Sequence, residues 1–122
     1  MTKRVMIIDD DDRVLKIFEL FVRSFGYKAI PVSDPNEGLR MLSDNPPSLI
    51  LLDLMMSPMD GSKFLDERRK IAGALDIPVV ICSAWRPTVE ELAAYKDEIA
   101  GILPKPVESA QLREILEKLI GS

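Results

Sequence analysis

Short uninterrupted apolar runs alternate along this chain with longer stretches in which apolar residues return every three or four positions. Val5-Met6-Ile7-Ile8 is the first run and it ends in acid. From Asp12 the rhythm becomes helical, with Val14, Phe18, Phe21, Val22 and Phe25 on one stripe and Gly26 placed as a helix stop. Lys28-Ala29-Ile30-Pro31-Val32 reads as a short strand near a sheet edge, because Pro31 cannot donate to a ladder. Ser33-Asp34-Pro35 starts a second helix, through Leu39 and Leu42, that Asn45-Pro46-Pro47 ends.

Leu49-Ile50-Leu51-Leu52 is a buried-strand run ending at Asp53. A loop through Pro58 and Asp60-Gly61 leads into a helix carrying Phe64, Leu65 and Ile71. Pro78-Val79-Val80-Ile81-Cys82 is the fourth strand, closed by Ser83. Thr88 and Glu91 have capping-box spacing and open a fourth helix through Leu92 and Tyr95. Gly101-Ile102-Leu103-Pro104 is a last strand before Lys105-Pro106. From Ser109 the tail is amphipathic, with Leu112, Ile115, Leu116, Leu119 and Ile120 on its apolar side. Five strands thus alternate with five helices. Continuous apolar strands are buried on both faces, so the pattern predicts an α/β fold: a parallel sheet wound on both sides by helices.

The 122 residues are filled by these units, which predicts one domain over residues 1–122 with no output domain. Composition (47% hydrophobic, 30% charged) is that of an ordinary globular domain. No apolar stretch approaches the ~20 residues of a membrane helix, and acid follows the first run too soon for a signal peptide. With Cys82 as the single cysteine no internal disulfide is possible, and the expected location is cytoplasmic. A net charge of −4 argues against direct nucleic-acid binding. The chain has no histidine. Histidine bases, histidine metal ligands and phosphohistidine donors within the chain are therefore all excluded.

Ligands of open parallel sheets bind beyond the carboxyl ends of the strands. Here those ends carry Asp9-Asp10-Asp11-Asp12, Asp53, Ser83 and Lys105. Singly, each is an ordinary cap, turn hydroxyl or solvated lysine. Together they are a site. Clustered carboxylates raise one another's pKa unless a cation lies between them. An all-oxygen donor set suits a hard cation such as Mg²⁺ or Mn²⁺. Lysine and hydroxyl facing the same place suit a phosphoryl group. No Walker-type phosphate loop is present, which leaves a phosphoryl group carried on an aspartate side chain.

In these motifs the chain resembles the CheY-like receiver domain of two-component response regulators. They are Ile7-Ile8-Asp9-Asp10-Asp11, Leu51-Leu52-Asp53-Leu54-Met55, Met59-Asp60-Gly61, the Pro78–Ala84 strand and Lys105-Pro106, in order and at family spacing. The resemblance covers essentially the whole chain. It implies a flavodoxin-like topology with strand order 2-1-3-4-5. It implies that Asp53 accepts a phosphoryl group from the phosphohistidine of a sensor histidine kinase or phosphotransfer protein. Asp10, Asp53 and the main-chain carbonyl of Met55 would hold Mg²⁺, with Asp9 acting mostly through water. Ser83 and the backbone N–H of Ala84 would meet the phosphoryl oxygens, and Lys105 would pair with the aspartates and then the phosphoryl group. A cis Lys105-Pro106 bond is also implied. The output would be a changed preference for a downstream target through the face of fourth helix, fifth strand and fifth helix, in a monomer or weak homodimer away from the membrane. The protein would then be a switch that catalyses only its own phosphorylation and dephosphorylation.

Three departures stand out. Ser57 holds the place where the family commonly has proline, and Pro58 follows it. Ile102 holds the place of a switching aromatic, and either gates by a smaller aliphatic rotation or packs as core. Met55 and Trp85 would flank the mouth of the site, where they either shield the acyl phosphate or, for Trp85, pack on loops or meet a partner. Within the acidic run, Asp12 is the expected helix cap and Asp11 peripheral; a slip by one would make Asp10 and Asp11 the metal pair. Two other functions share these residues: a haloacid dehalogenase-like phosphatase, and a receiver-like interaction module that is never phosphorylated. The phosphatase is disfavoured because Arg13 ends the Asp9–Asp12 run where that family has Thr or Val.

Overall fold

The computed structural model describes residues 2–54, 61–83, 93–95 and 97–121. Five strands, β1 (Arg4–Ile8), β2 (Lys28–Val32), β3 (Leu49–Leu52), β4 (Val79–Ser83) and β5 (Ile99–Pro104), form one all-parallel sheet in the order β2-β1-β3-β4-β5. Four α-helices are seen among the described residues: α1 (Asp12–Ser24), α2 (Pro35–Asp44), α3 (Gly61–Arg68) and α4 (Ser109–Ile120). The helix expected from Thr88 falls mostly outside the described residues; its described part, Ala93–Tyr95, is a 3₁₀ turn. The expected doubly wound sheet and its strand order are borne out, with β2 and its Pro31 at one edge.

Strand alternation divides the core in two. Met6, Ile8, Ile50, Leu52, Val79 and Ile81 face a layer with Leu42, Phe64 and Leu65. Val5, Ile7, Leu49, Leu51, Val80 and Cys82 face the opposite layer, with Leu15, Phe18, Val22, Leu112 and Leu116. Strands buried on both sides need no polar face, which is why these runs are continuously apolar.

Local signals set the ends of the helices. Asp34 caps α2, its carboxylate accepting from the Asn36 N–H, with Pro35 in the first turn. Gly26 follows α1 with φ 96°, a conformation that side-chain-bearing residues rarely adopt. Three expectations are corrected. Asp11, not Asp12, is the cap of α1: its backbone is extended and its side chain accepts from the Arg13 N–H, while Asp12 opens the helix proper. Helix α3 ends at Arg68, and Ile71 packs on the core from the turn beyond it. Strand β5 begins at Ile99 rather than Gly101, because Ile99 pairs with Val79.

Candidate functional site

Register brings the strand ends together. Ile8 lies beside Leu52, and Leu52 beside Ile81. The first residues past β1 and β3, Asp9 and Asp53, are therefore neighbours, and the Asp53 N–H donates to the Ile8 carbonyl at 3.0 Å. On the other side Ser83 pairs with Pro104, and the Lys105 N–H donates to the Ser83 carbonyl at 3.1 Å. Strand pairing alone thus places an aspartate pair next to a serine–lysine pair.

The side chains complete the cluster. Carboxylate oxygens of Asp9, Asp10 and Asp53 all lie within 4.8 Å of one another. Asp9 and Asp53 are buried and Asp10 is exposed, which leaves the cluster one open side. Lys105 Nζ donates to Asp9 Oδ2 at 2.5 Å and lies 3.6 Å from Asp53 Oδ2. Burial pushes the Lys105 ammonium toward losing its proton. The hydrogen bond to Asp9 and the charges of Asp9 and Asp53 outweigh that and hold its pKa above the ordinary lysine value. The lysine is cationic at neutral pH. Asp9 is held from the other side as well, its Oδ1 accepting from the Asp11 N–H at 2.9 Å. Because Asp11 caps α1, the alternative pairing of Asp10 with Asp11 as metal ligands is not the one the structure assembles.

Ser83 is buried at the end of β4, at the same sheet edge. Its neighbour Cys82 is no rival nucleophile: burial pushes its thiol up to about 12. The Lys105-Pro106 peptide bond is cis. Ile102 is exposed (43%), which removes the reading of it as core. Met55, Ser57, Pro58, Asp60, Ala84 and Trp85 lie outside the described residues. One role was not read from sequence, that of Gly61, whose N–H donates to the Leu54 carbonyl at 2.9 Å directly beside Asp53. The Asp60-Gly61 pair marked the turn, but no local pattern reveals which backbone the glycine touches.

Comparison with known proteins identifies the family. Residues 5–117 match the family model described as the response regulator receiver domain. The transcriptional regulatory protein GlrR of Escherichia coli K12 is 30% identical over 113 residues, which cover 93% of this chain and 25% of that protein. The N-terminal domain of a response regulator receiver protein from Methanoculleus marisnigri JR1 is 34% identical, with a TM-score of 0.76, covering 98% of this chain and 97% of that one. The receiver domain of the Pseudomonas aeruginosa PAO1 sensor histidine kinase PA1611 superposes over the whole of both chains with a TM-score of 0.86 at 23% identity; that crystal structure is described with a magnesium ion coordinated in its active-site cleft. The chain belongs to the response regulator receiver domain family. It spans between a quarter and about half of the length of the curated relatives that it matches.

Proposed function

We propose that this receiver accepts a phosphoryl group on the Asp53 carboxylate, from a phosphohistidine borne by a sensor kinase or phosphotransfer protein. The observation that carries the reading is a cluster of three carboxylates at the carboxyl edge of the sheet, two of which, Asp9 and Asp53, meet Lys105. An oxygen of Asp53 attacks phosphorus as the donor's P–N bond breaks, and the electron pair of that bond stays on the imidazole nitrogen. Lys105 stands 3.6 Å from the attacking carboxylate, and its ammonium offsets the negative charge that gathers on the transferring group. Ser83 supplies a hydroxyl to a phosphoryl oxygen, and the Ala84 N–H a second donor.

The donor set fits a divalent cation. All candidate ligands are oxygen, they cluster within 4.8 Å, and one of them is open to solvent. Asp9, Asp10 and Asp53 would hold Mg²⁺ together with the Met55 carbonyl, and the cation would supply charge neutralisation to the phosphoryl oxygens. Met55 and Trp85 are assigned to shield the acyl phosphate from water, and Ile102 to relay the change to the surface that meets the target. A donor must bring its phosphorus to Asp53 and so must cover the surface beside Lys105. There Ile17, Val14 and Phe21 of α1 meet Pro106 and Val107 around an apolar groove of about 390 Å³.

The chemistry is confined to the protein's own side chain, so this is a switch rather than an enzyme with a turnover substrate. No helix among the described residues is long and apolar enough to cross a membrane. The test is mass spectrometry after incubation with Mg²⁺ and acetyl phosphate. The parent gains one phosphoryl group and Asp53→Asn gains none. An unmodified parent, under conditions that load other receivers, rejects the assignment.

A further inference from the structure

Gly61 begins α3 and is buried, with its peptide lying directly on the main chain that carries Asp53. A Cβ at this position would stand 2.7 Å from Leu54 Cα, 2.8 Å from the Asp53 carbonyl oxygen and 2.8 Å from Leu54 Cδ2. Two of these three atoms are backbone and have no rotamer by which to move aside. The glycine is needed for close approach rather than for an unusual φ, since the positive-φ glycines are Gly26, Gly73 and Gly121.

Neither side of the contact yields freely. Strand β3 lies between β1 and β4, and the Asp53 N–H is tied to the Ile8 carbonyl. Helix α3 is pinned by Phe64, Leu65 and Arg68, all at 0% exposure. A methyl group at Gly61 therefore displaces one of two fixed bodies by a large fraction of an ångström, and the point of contact is the Asp53–Leu54 peptide. Gly101 is the instructive counterpart. A Cβ there would come even closer to a neighbour, 2.5 Å, but that neighbour is Ile115 Cδ1, the free end of a side chain.

We infer that Gly61 is a positioning residue for the acceptor: its missing side chain lets α3 seat against the Asp53–Leu54 peptide and hold the Asp53 carboxylate in register with Asp9, Asp10 and Lys105. The inference rests on Asp53 being the acceptor, and its tests separate the two. Parent, Gly61→Ala and Gly101→Ala are compared by three measurements: the phosphorylation rate with acetyl phosphate at saturating Mg²⁺, calorimetric Mg²⁺ affinity, and a crystal structure of Gly61→Ala.

Displacements of this size at a reacting centre cost on the order of tenfold to a hundredfold in rate. Gly61→Ala is expected to lose about tenfold or more in rate and to bind Mg²⁺ more weakly. Gly101→Ala is expected to keep the parental rate even where its melting temperature falls. Circular dichroism verifies folding, with trimethylamine N-oxide added if Gly61→Ala melts below the assay temperature. A folded Gly61→Ala that is phosphorylated at the parental rate overturns the inference. So does a crystal structure that keeps its Asp53 carboxylate at the parental distance from Lys105, whatever the activity. A parent that is never phosphorylated rejects the acceptor assignment instead, and the structure still decides whether Gly61 sets the position of Asp53.

Discussion

Two charged clusters sit at opposite edges of the sheet, and they are built on opposite rules. At the carboxyl edge, Asp9, Asp10 and Asp53 cluster, and Asp9 and Asp53 meet the ammonium of Lys105. At the amino edge Arg68, at the end of α3, meets Glu98, which directly precedes β5, at 3.2 Å. Arg69 also pairs with Glu98 and lies 3.5 Å from Asp66. Tyr95 donates to Asp66 at 3.0 Å, and the Arg69 guanidinium stands 5.0 Å from the centre of the Tyr95 ring. Among the described residues the second cluster is balanced, two guanidiniums against two carboxylates. Counted over the same described residues, the first holds three carboxylates and one ammonium. Both contain fully or nearly buried charges, so burial does not tell them apart. Charge balance does: a structural cluster closes its account, whereas a binding site is left short by the charge of its ligand.

The largest break in this contrast comes from the balanced side. Glu98→Ala leaves the guanidinium of Arg68, which is 0% exposed, without its carboxylate, and removing one partner of a buried pair costs about 3 kcal/mol. Urea denaturation is expected to show that loss, while the rate of phosphorylation in the folded protein stays at the parental value. A variant as stable as the parent would mean that the amino-edge cluster contributes nothing.

The unbalanced side is expected to respond with the opposite sign. In metal-free buffer Asp53→Asn removes one of three mutually repelling carboxylates and raises stability by about 1 kcal/mol. Mg²⁺ then stabilises the parent more than the variant, because binding to the folded state raises stability by mass action. Paired urea titrations with and without Mg²⁺ measure both effects. A variant less stable than the parent without metal would show that the surplus charge is not a strain on the fold.

The smallest effect is in the acid limb of stability. Hydrogen bonding from Arg69, opposed by burial and aided by the charges of Arg69 and Arg68, holds the Glu98 carboxyl below its ordinary value of 4.5. A depressed folded value means that the unfolded chain binds the proton first. The Glu98 contribution is thus complete above the ordinary glutamate range and is lost as pH falls through the folded value. Glu98→Gln is expected to flatten that part of the stability profile, and an unchanged slope would locate the acid sensitivity elsewhere.

The carboxyl-edge cluster was legible in the sequence and the amino-edge cluster was not, for a physical reason. Asp9, Asp53, Ser83 and Lys105 each follow a continuous apolar run, so the topology rule for parallel sheets predicts their meeting without any side-chain detail. Arg68 follows no such marker. It reads as one more cation in Glu67-Arg68-Arg69-Lys70, and its partner Glu98 stands 30 residues away outside any motif. The sequence points to a cap of α1 one residue too late for a related reason. Four successive aspartates are equally good caps, and only the backbone chooses among them; it turns at Asp11. Ile71 and Ile99 show the same limit, since apolar residues keep packing beyond a helix end and strand pairing begins before the apolar run.

The ion pair between Lys105 and Asp9 joins residues 96 positions apart. During synthesis, β1 and β3 leave the ribosome with their aspartates long before the lysine that serves them has been made. A chain that stops short of residue 105 carries the aspartates but lacks the cation that pairs with them. The charge pairing of the cluster is therefore complete only once the residue after β5 has been made.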